Sequence, residues 1–230
     1  MTYHVPNSLH ADLTRPAIVH SAEQPWTPSP AAGVERRFLE RDGAEVARAS
    51  SVVRYASGSS FPAHVHDKGE EYLVLDGTFS DSDGDFRAGS YVRNPPGSRH
   101  APFTKDGCTI FVKLRQFRDD DRETVHKHID EVSYEETDIP GVSRALLYQN
   151  AGEIVLTETY TPGAIWEART VDGGEEIFVI EGRLRYGDVE CGPGSWLRFP
   201  PGEECSIRSQ SGCRLWVKRG HLGHHTKTDA

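Results

Sequence analysis

The chain has no run of 18 apolar residues, no Cys-x-x-Cys pair and no stripe of basic residues. The first absence rules out a membrane-spanning helix. The opening residues, Met1-Thr-Tyr-His-Val-Pro-Asn7, have neither the basic nor the apolar segment of a secretory leader, so a cytoplasmic protein without a membrane partner is expected. Four cysteines, at 108, 191, 205 and 213, are too few and too scattered for a disulfide framework and read as reduced thiols. Acidic residues outnumber basic ones by 35 to 26, a net charge of −9, which speaks against a nucleic-acid partner because phosphate binding needs concentrated Lys and Arg.

What is present is a set of short β-rich runs punctuated by 22 Gly and 14 Pro. Ser51-Val-Val-Arg-Tyr55, Thr109-Ile-Phe-Val-Lys-Leu114, Ile177-Phe-Val-Ile180 and Arg214-Leu-Trp-Val-Lys218 lie between such turns, which points to an all-β sandwich or barrel architecture. Sliding the chain along itself reveals a repeat. Gly69-Glu70-Glu71 recurs as Gly174-Glu175-Glu176, Gly89-Ser90 as Gly194-Ser195, Pro95-Pro96-Gly97 as Pro200-Pro201-Gly202, and Gly107-Cys108 as Gly212-Cys213, always 105 residues apart. A constant offset without insertion makes the chain two copies of one module. The expected organisation is a lead at 1–25, a first domain at 26–118, a linker at 119–136, a second domain at 137–222 and a tail at 223–230.

The first copy carries a metal-ligand pattern. His64 and His66, two apart on a strand, point to one face about 6.5 to 7 Å apart along the backbone. Glu70 follows the turn Asp67-Lys-Gly69, and His100 returns from a later strand. Three imidazoles and a carboxylate suit one divalent ion, with zinc or iron foremost and manganese or nickel open. Burying four such groups without an ion would be costly.

The same residues carry a resemblance. Gly58-x5-His64-x-His66-x3-Glu70-x6-Gly77, followed by Gly89-x5-Pro95-x-Gly97-x2-His100, resembles the paired motifs of the cupin superfamily. The stretches from Gly69 to Gly77, Gly89 to Gly97 and Gly107 to Leu114 are similar to the ChrR-like cupins of zinc-containing anti-sigma factors. The resemblance implies two tandem jelly-roll barrels, a bicupin, with metal ligands His64, His66, Glu70 and His100. It departs at Thr104, where many cupins have Asn, a difference bearing on the surroundings of the site and not on its ligands. The sigma-binding domain of those factors needs a His-x3-Cys-x2-Cys stretch, and about 25 residues precede Trp26 here without one, so a sigma factor is not an expected partner.

The second copy breaks the pattern at the same offset. His64 maps to Arg169, His66 to Val171 and His100 to Cys205, and only Glu70 keeps its type, as Glu175. Arg169 is expected to pair with Glu175 where an ion would sit, leaving this copy a scaffold or a pocket for an anion. Cys205, at a lost ligand position, could be an exposed, oxidisable thiol. His126-Lys-His128 lies in a charged connector, Arg115-Gln-Phe-Arg-Asp-Asp-Asp-Arg122 onward, and reads as solvated; His4, His10, His20 and the tail His221, His224 and His225 are scattered.

An open position on the metal would let the first copy act on a small organic molecule, as dioxygenases, decarboxylases and isomerases among the cupins do. Arg93 and Lys113 are candidates to steer an anionic substrate and Glu71 to orient a ligand or shuttle a proton. Their recurrence as Arg198, Lys218 and Glu176 equally fits ion pairs on the barrel. The alternative to a dioxygenase-like metalloenzyme is a non-catalytic zinc-binding sensor of reactive oxygen or of a small ligand. Exposed sheet edges would permit a homo-oligomer.

Overall fold

The structure, a computed structural model, describes residues 6–44 and 46–225; His4, the side chains of His224 and His225, and the chain beyond them lie outside the described residues. Its regular secondary structure is almost entirely β-strand, and the described helical turns are confined to Ser21–Glu23 and Leu222–His225. No helix among the described residues is long and apolar enough to cross a membrane.

The chain divides into two compact units, Met1–Ala11 with Gln24–Asp130, and Asp12–Glu23 with Glu131–Ala230. In the first, one large antiparallel sheet runs in the order Ser8–Leu9, Val34–Asp42, Arg48–Tyr55, Cys108–Leu114, Glu70–Asp81, Ser90–Asn94, Val125–His128. Facing its interior is the short pair His64–His66 and Ser98–His100. Val34, Val53, Val74, Phe79, Val92 and Ile110 are among the residues that fill the space between. The second unit repeats the plan, with a large sheet containing Ile154–Tyr160, Cys213–Arg219, Glu175–Gly182 and Ser195–Phe199, and a smaller sheet of Ala164–Thr170, Glu204–Ser209, Leu184–Tyr186 and Val189–Cys191.

Two devices recur at the repeat offset. Gly77 and Gly182 have φ of +72° and +70°, and a Cβ on either would collide with the carbonyl oxygen of Gly107 or Gly212, so glycine is required there. Beside each, the central strand carries a β-bulge: Val74 pairs with Ile110 and Asp76 with Thr109, leaving Leu75 as the extra residue, and Ile180 is the extra residue in the second unit.

The expected lead and linker are both strand-forming. Ser8–Leu9 pairs with Val34–Asp42 in the first unit, whereas Ala17–His20 closes the edge of the second unit's large sheet against Ser195–Phe199. Val125–His128 pairs with Ser90–Asn94, and Asp121, Val125, His128 and Ile129 are buried, so the solvated connector expected around His126 and His128 is instead an integral edge. The reason is tertiary: Ala17 and Val19, or Val125 and Ile129, gain a buried face only when a sheet edge receives them.

Candidate metal centre

Antiparallel pairing sets His100 directly across from His64 and Ser98 across from His66. With His64 and His66 on one face of their strand, three imidazoles gather, their ring centroids 4.7, 4.8 and 5.0 Å apart and their planes mutually inclined by 69° to 75°. One ligand nitrogen from each lies within 4.8 Å of the others. His66 and His100 are buried and His64 is exposed, so the cluster opens to the outside on the His64 side.

Glu70 begins the neighbouring strand. Its Oε2 stands 3.5 Å from both His66 Nε2 and His100 Nε2. Those two nitrogens are buried and find no hydrogen-bond partner among the described residues. Buried polar atoms are rarely left this way. Two donors bound to one ion at about 2.1 Å stand about 3.4 Å apart at a tetrahedral angle, so the spacing fits a shared cation where it is too long for hydrogen bonds. The donor set therefore fits a divalent metal.

Contacts at Nδ1 leave the Nε2 of two rings, His64 and His100, for the centre. His64 Nδ1 lies 3.0 Å from the Pro62 carbonyl oxygen, and His100 Nδ1 lies 2.9 Å from Asp81 Oδ2. The Asp81 side chain is 3% exposed, and its other oxygen accepts the Asp83 amide at 2.8 Å. Asn94, directly across from Glu70, donates to Glu70 Oε2 at 3.4 Å. Such outer partners fix the tautomer and orientation of ligands. Burial disfavours charge on His66 and lowers its pKa; the opposing pull of Glu70 is weaker. Burial works the same way on His100, but the Asp81 hydrogen bond and the charges of Glu70 and Asp81 outweigh it and raise its pKa. Asp81 is likewise held below the usual carboxylate range, its burial outweighed by His100 and the Asp83 amide. Tyr55, Phe61, Tyr72 and Phe79 form an aromatic wall beside the centre, with Phe79 6.3 Å from the His100 ring. Tyr72 and Asn94 lie in the motif stretches but are not among the expected site residues, and Asp81 lies outside those stretches.

The structure does not bring the expected steering residues to this centre. Glu70, Asn94 and Leu114 face the barrel interior, so their strand neighbours Glu71, Arg93 and Lys113 face the opposite side of the sheet. There Arg93, fully buried, bonds Glu71 and Asp121 at 2.6 Å each and lies over the Phe117 ring at 4.1 Å. Tyr91 donates to the same Glu71 oxygen at 2.8 Å, and Lys113 donates to Ser50 at 3.0 Å. These are buried ion pairs and hydrogen bonds on the face of the sheet opposite the histidine cluster. Thr104 donates to the Thr78 carbonyl at 2.8 Å and touches no ligand. His128 is also engaged, its Nε2 2.9 Å from the Ala88 carbonyl and its Nδ1 accepting the Asp130 amide at 3.2 Å.

In the second unit Arg169 stands across from Cys205, as His64 stands across from His100, and pairs with Glu175 at 2.7 and 2.8 Å. Arg219, which the motif comparison missed, adds bonds of 2.7 Å to Glu175 and to Glu158. Trp166 lies 3.5 Å from the Arg169 guanidinium and 4.9 Å from that of Arg219. Ion pairs and an indole thus fill the place that corresponds to the histidine cluster of the first unit. Cys205 is buried, and burial, with Glu175 beside it, pushes its thiol up to about 12, so the exposed oxidisable thiol expected there is instead an inert core residue. The other three cysteines are buried too, with thiols pushed up to about 11 by burial.

No curated protein matches the sequence. Among solved structures, a candidate dioxygenase from Nostoc punctiforme PCC 73102 superposes with a TM-score of 0.76 at 13% identity, covering 91% of this chain and 84% of its own. A candidate glyoxylate-induced protein from Pseudomonas aeruginosa gives 0.71 at 12% identity, covering 95% and 92%. The bacterial pirin YhhW from Escherichia coli, in complex with nickel(II), gives 0.65 at 12% identity, covering 89% and 98%. At such identities the likeness is one of fold. The sequence itself matches the ChrR cupin-like domain twice, over residues 14–118 and 122–223, so both barrels are accounted for and the protein belongs to that family as a bicupin.

Proposed function

We propose that the first barrel holds one divalent metal ion through His64, His66, Glu70 and His100 and that the protein is a metal-dependent, dioxygenase-like enzyme acting on a small organic molecule. The observation that carries this reading is the pair of orphaned, buried Nε2 atoms on His66 and His100, both 3.5 Å from one Glu70 oxygen. When bound, the ion supplies Lewis acidity and, if iron, redox chemistry. The protein's own groups hold and shape the site. Pro62 and Asp81 fix two imidazoles, Asn94 steadies the carboxylate, and the aromatic wall excludes water behind the ligands. The exposed His64 side is the approach for a substrate.

Family membership also supports a second reading, a zinc-holding sensor that turns nothing over. Thiol oxidation is not its route, since all four cysteines are buried with raised pKa values. Elemental analysis separates the possibilities. The protein is purified without a metal-affinity column and truncated after Gly223, because His221 and Leu222 are buried. One ion per chain, lost in His100→Ala, is expected; none, or two, refutes the assignment. Iron, manganese or nickel directs a turnover screen with diketones, catechols and organic acids, in which His64→Ala abolishes any activity. Zinc without turnover, but with metal loss on peroxide treatment, selects the sensor.

A further inference from the structure

The repeat provides an internal control for what the metal requires. On the far side of the large sheet, Glu71, Arg93 and Lys113 recur as Glu176, Arg198 and Lys218 in the copy that lacks the histidines. Those groups serve the fold. On the interior face, three polar residues vanish together with the ligands: Tyr72 becomes Ile177, Asp81 becomes Tyr186 and Asn94 becomes Phe199. Asp81 and Asn94 have partners among the ligands, as described. Tyr72 has none.

Tyr72 lies two residues after Glu70 on the same strand and hence on the same face. It is 1% exposed, packs its ring against Phe79 and Phe86 at 5.2 and 6.2 Å, and finds no hydrogen-bond partner for its hydroxyl among the described residues. Phenylalanine would pack the same way without burying an unsatisfied hydroxyl. Loss of tyrosines is not general in the second copy, because Tyr55 is retained as Tyr160, whose hydroxyl donates to Glu158 at 3.3 Å. The residue whose hydroxyl disappears sits on the strand face that also carries Glu70, and its ring packs on Phe79, itself a neighbour of the His100 ring.

We propose that the Tyr72 hydroxyl is the hydrogen-bond donor that positions a small oxyanion, a carboxylate or an enolate, bound at the His64, His66, Glu70 and His100 centre. This rests on the metal assignment above and narrows its substrate class. A neutral donor set within an otherwise aromatic wall suits an anionic oxygen, whose acceptance of that bond supplies the partner the hydroxyl lacks among the described residues.

The test compares wild type with Tyr72→Phe in two measurements. Cobalt(II) is loaded into both and counted, and azide, a small anionic stand-in, is titrated by visible absorption. Equal cobalt content with azide bound about tenfold more weakly by Tyr72→Phe is expected, the loss of one hydrogen bond to a charged acceptor. Separately, the metal-free variant should unfold in urea at a midpoint equal to or above that of wild type, because no protein bond is lost. Equal azide affinities, no azide uptake by either loaded protein, or a lowered midpoint in the variant overturns the Tyr72 assignment and leaves the metal centre standing. Failure of wild type to bind cobalt overturns both.

Discussion

Asp81→Asn removes a charge from the metal centre without changing its shape. The side chain is nearly inaccessible, one oxygen accepts the Asp83 amide and the other reaches His100 Nδ1, so an amide, with a single acceptor oxygen, keeps only one of the two contacts. With that oxygen turned to His100, the Asp83 amide loses its acceptor and the histidine contact loses charge assistance, which makes such a bond about twice as strong as a neutral one. Taking about 1 to 1.5 kcal/mol for that difference gives about a tenfold drop in metal affinity, within the range seen when outer partners of histidine ligands are removed. Asp81→Ala, which abolishes the contact, should lose up to about a hundredfold. The pH dependence sharpens the test. In the metal-free wild type, Asp81 and Glu70 raise the His100 pKa, so a proton competes with the metal at a higher pH than the usual value near 6.5. Affinity therefore falls as pH is lowered, and falls earlier for wild type than for Asp81→Asn, whose His100 binds both metal and proton less well. Chelator competition with zinc between pH 8 and pH 6 should show the largest gap between the two proteins at pH 8 and a narrowing gap toward pH 6. A gap that is absent at pH 8, or that widens on acidification, refutes the role given to Asp81.

The far side of the sheet should respond in the opposite way. Glu71→Gln leaves a buried guanidinium with a weaker partner and should cost about 1 to 3 kcal/mol in urea unfolding while changing metal affinity less than twofold; a metal or turnover defect in a fully folded variant would return Glu71 to the site. Stripping the metal should loosen only the barrel that uses it. Hydrogen exchange followed by mass spectrometry should rise on chelation in peptides spanning residues 60–103 and stay unchanged across 154–219, where Arg169 and Arg219 pair with Glu175, and Arg219 with Glu158; faster exchange in the latter would mean a metal is bound there.

Much of the fold was legible because the punctuation is repeated. Glycines and prolines at a constant offset mark turns that must close in the same way twice, and the register agrees: His64 with His100 and Arg169 with Cys205 are the same cross-strand pair in two barrels. The gathering of His64, His66 and His100 was legible for a related reason, since two histidines two apart on a strand share a face whatever the tertiary context. The edge strands were not. Ala17-Ile-Val-His20 and Val125-His-Lys-His128 are too short to show a period, and they become strands because Ser195–Phe199 and Ser90–Asn94 offer them an open edge. The substrate-steering role expected of Arg93 and Lys113 failed on the side they face: recurrence marked them as important, and burial shows that the importance is to the sheet.

Asp81 was hidden by a different cause. Counting alternate residues from Glu70 puts Tyr72 and Val74 inside and would put Phe79 and Asp81, at odd separations of 9 and 11, outside. The bulge at Leu75 adds one residue and reverses the count, so that Phe79 joins the core and Asp81 reaches His100. Alternation alone cannot locate such an insertion, because any residue of the run could carry it. The second unit shows that the bulge was not made for the metal. It recurs at Ile180, and the two positions after it that turn inward are filled by Leu184 and by Tyr186 packed against the core. The barrel therefore dictates that a side chain at this position points inward, and only the chemistry of that side chain is free to vary. With His100 to orient, the position carries a carboxylate; with that histidine replaced by Cys205, it carries a ring that packs.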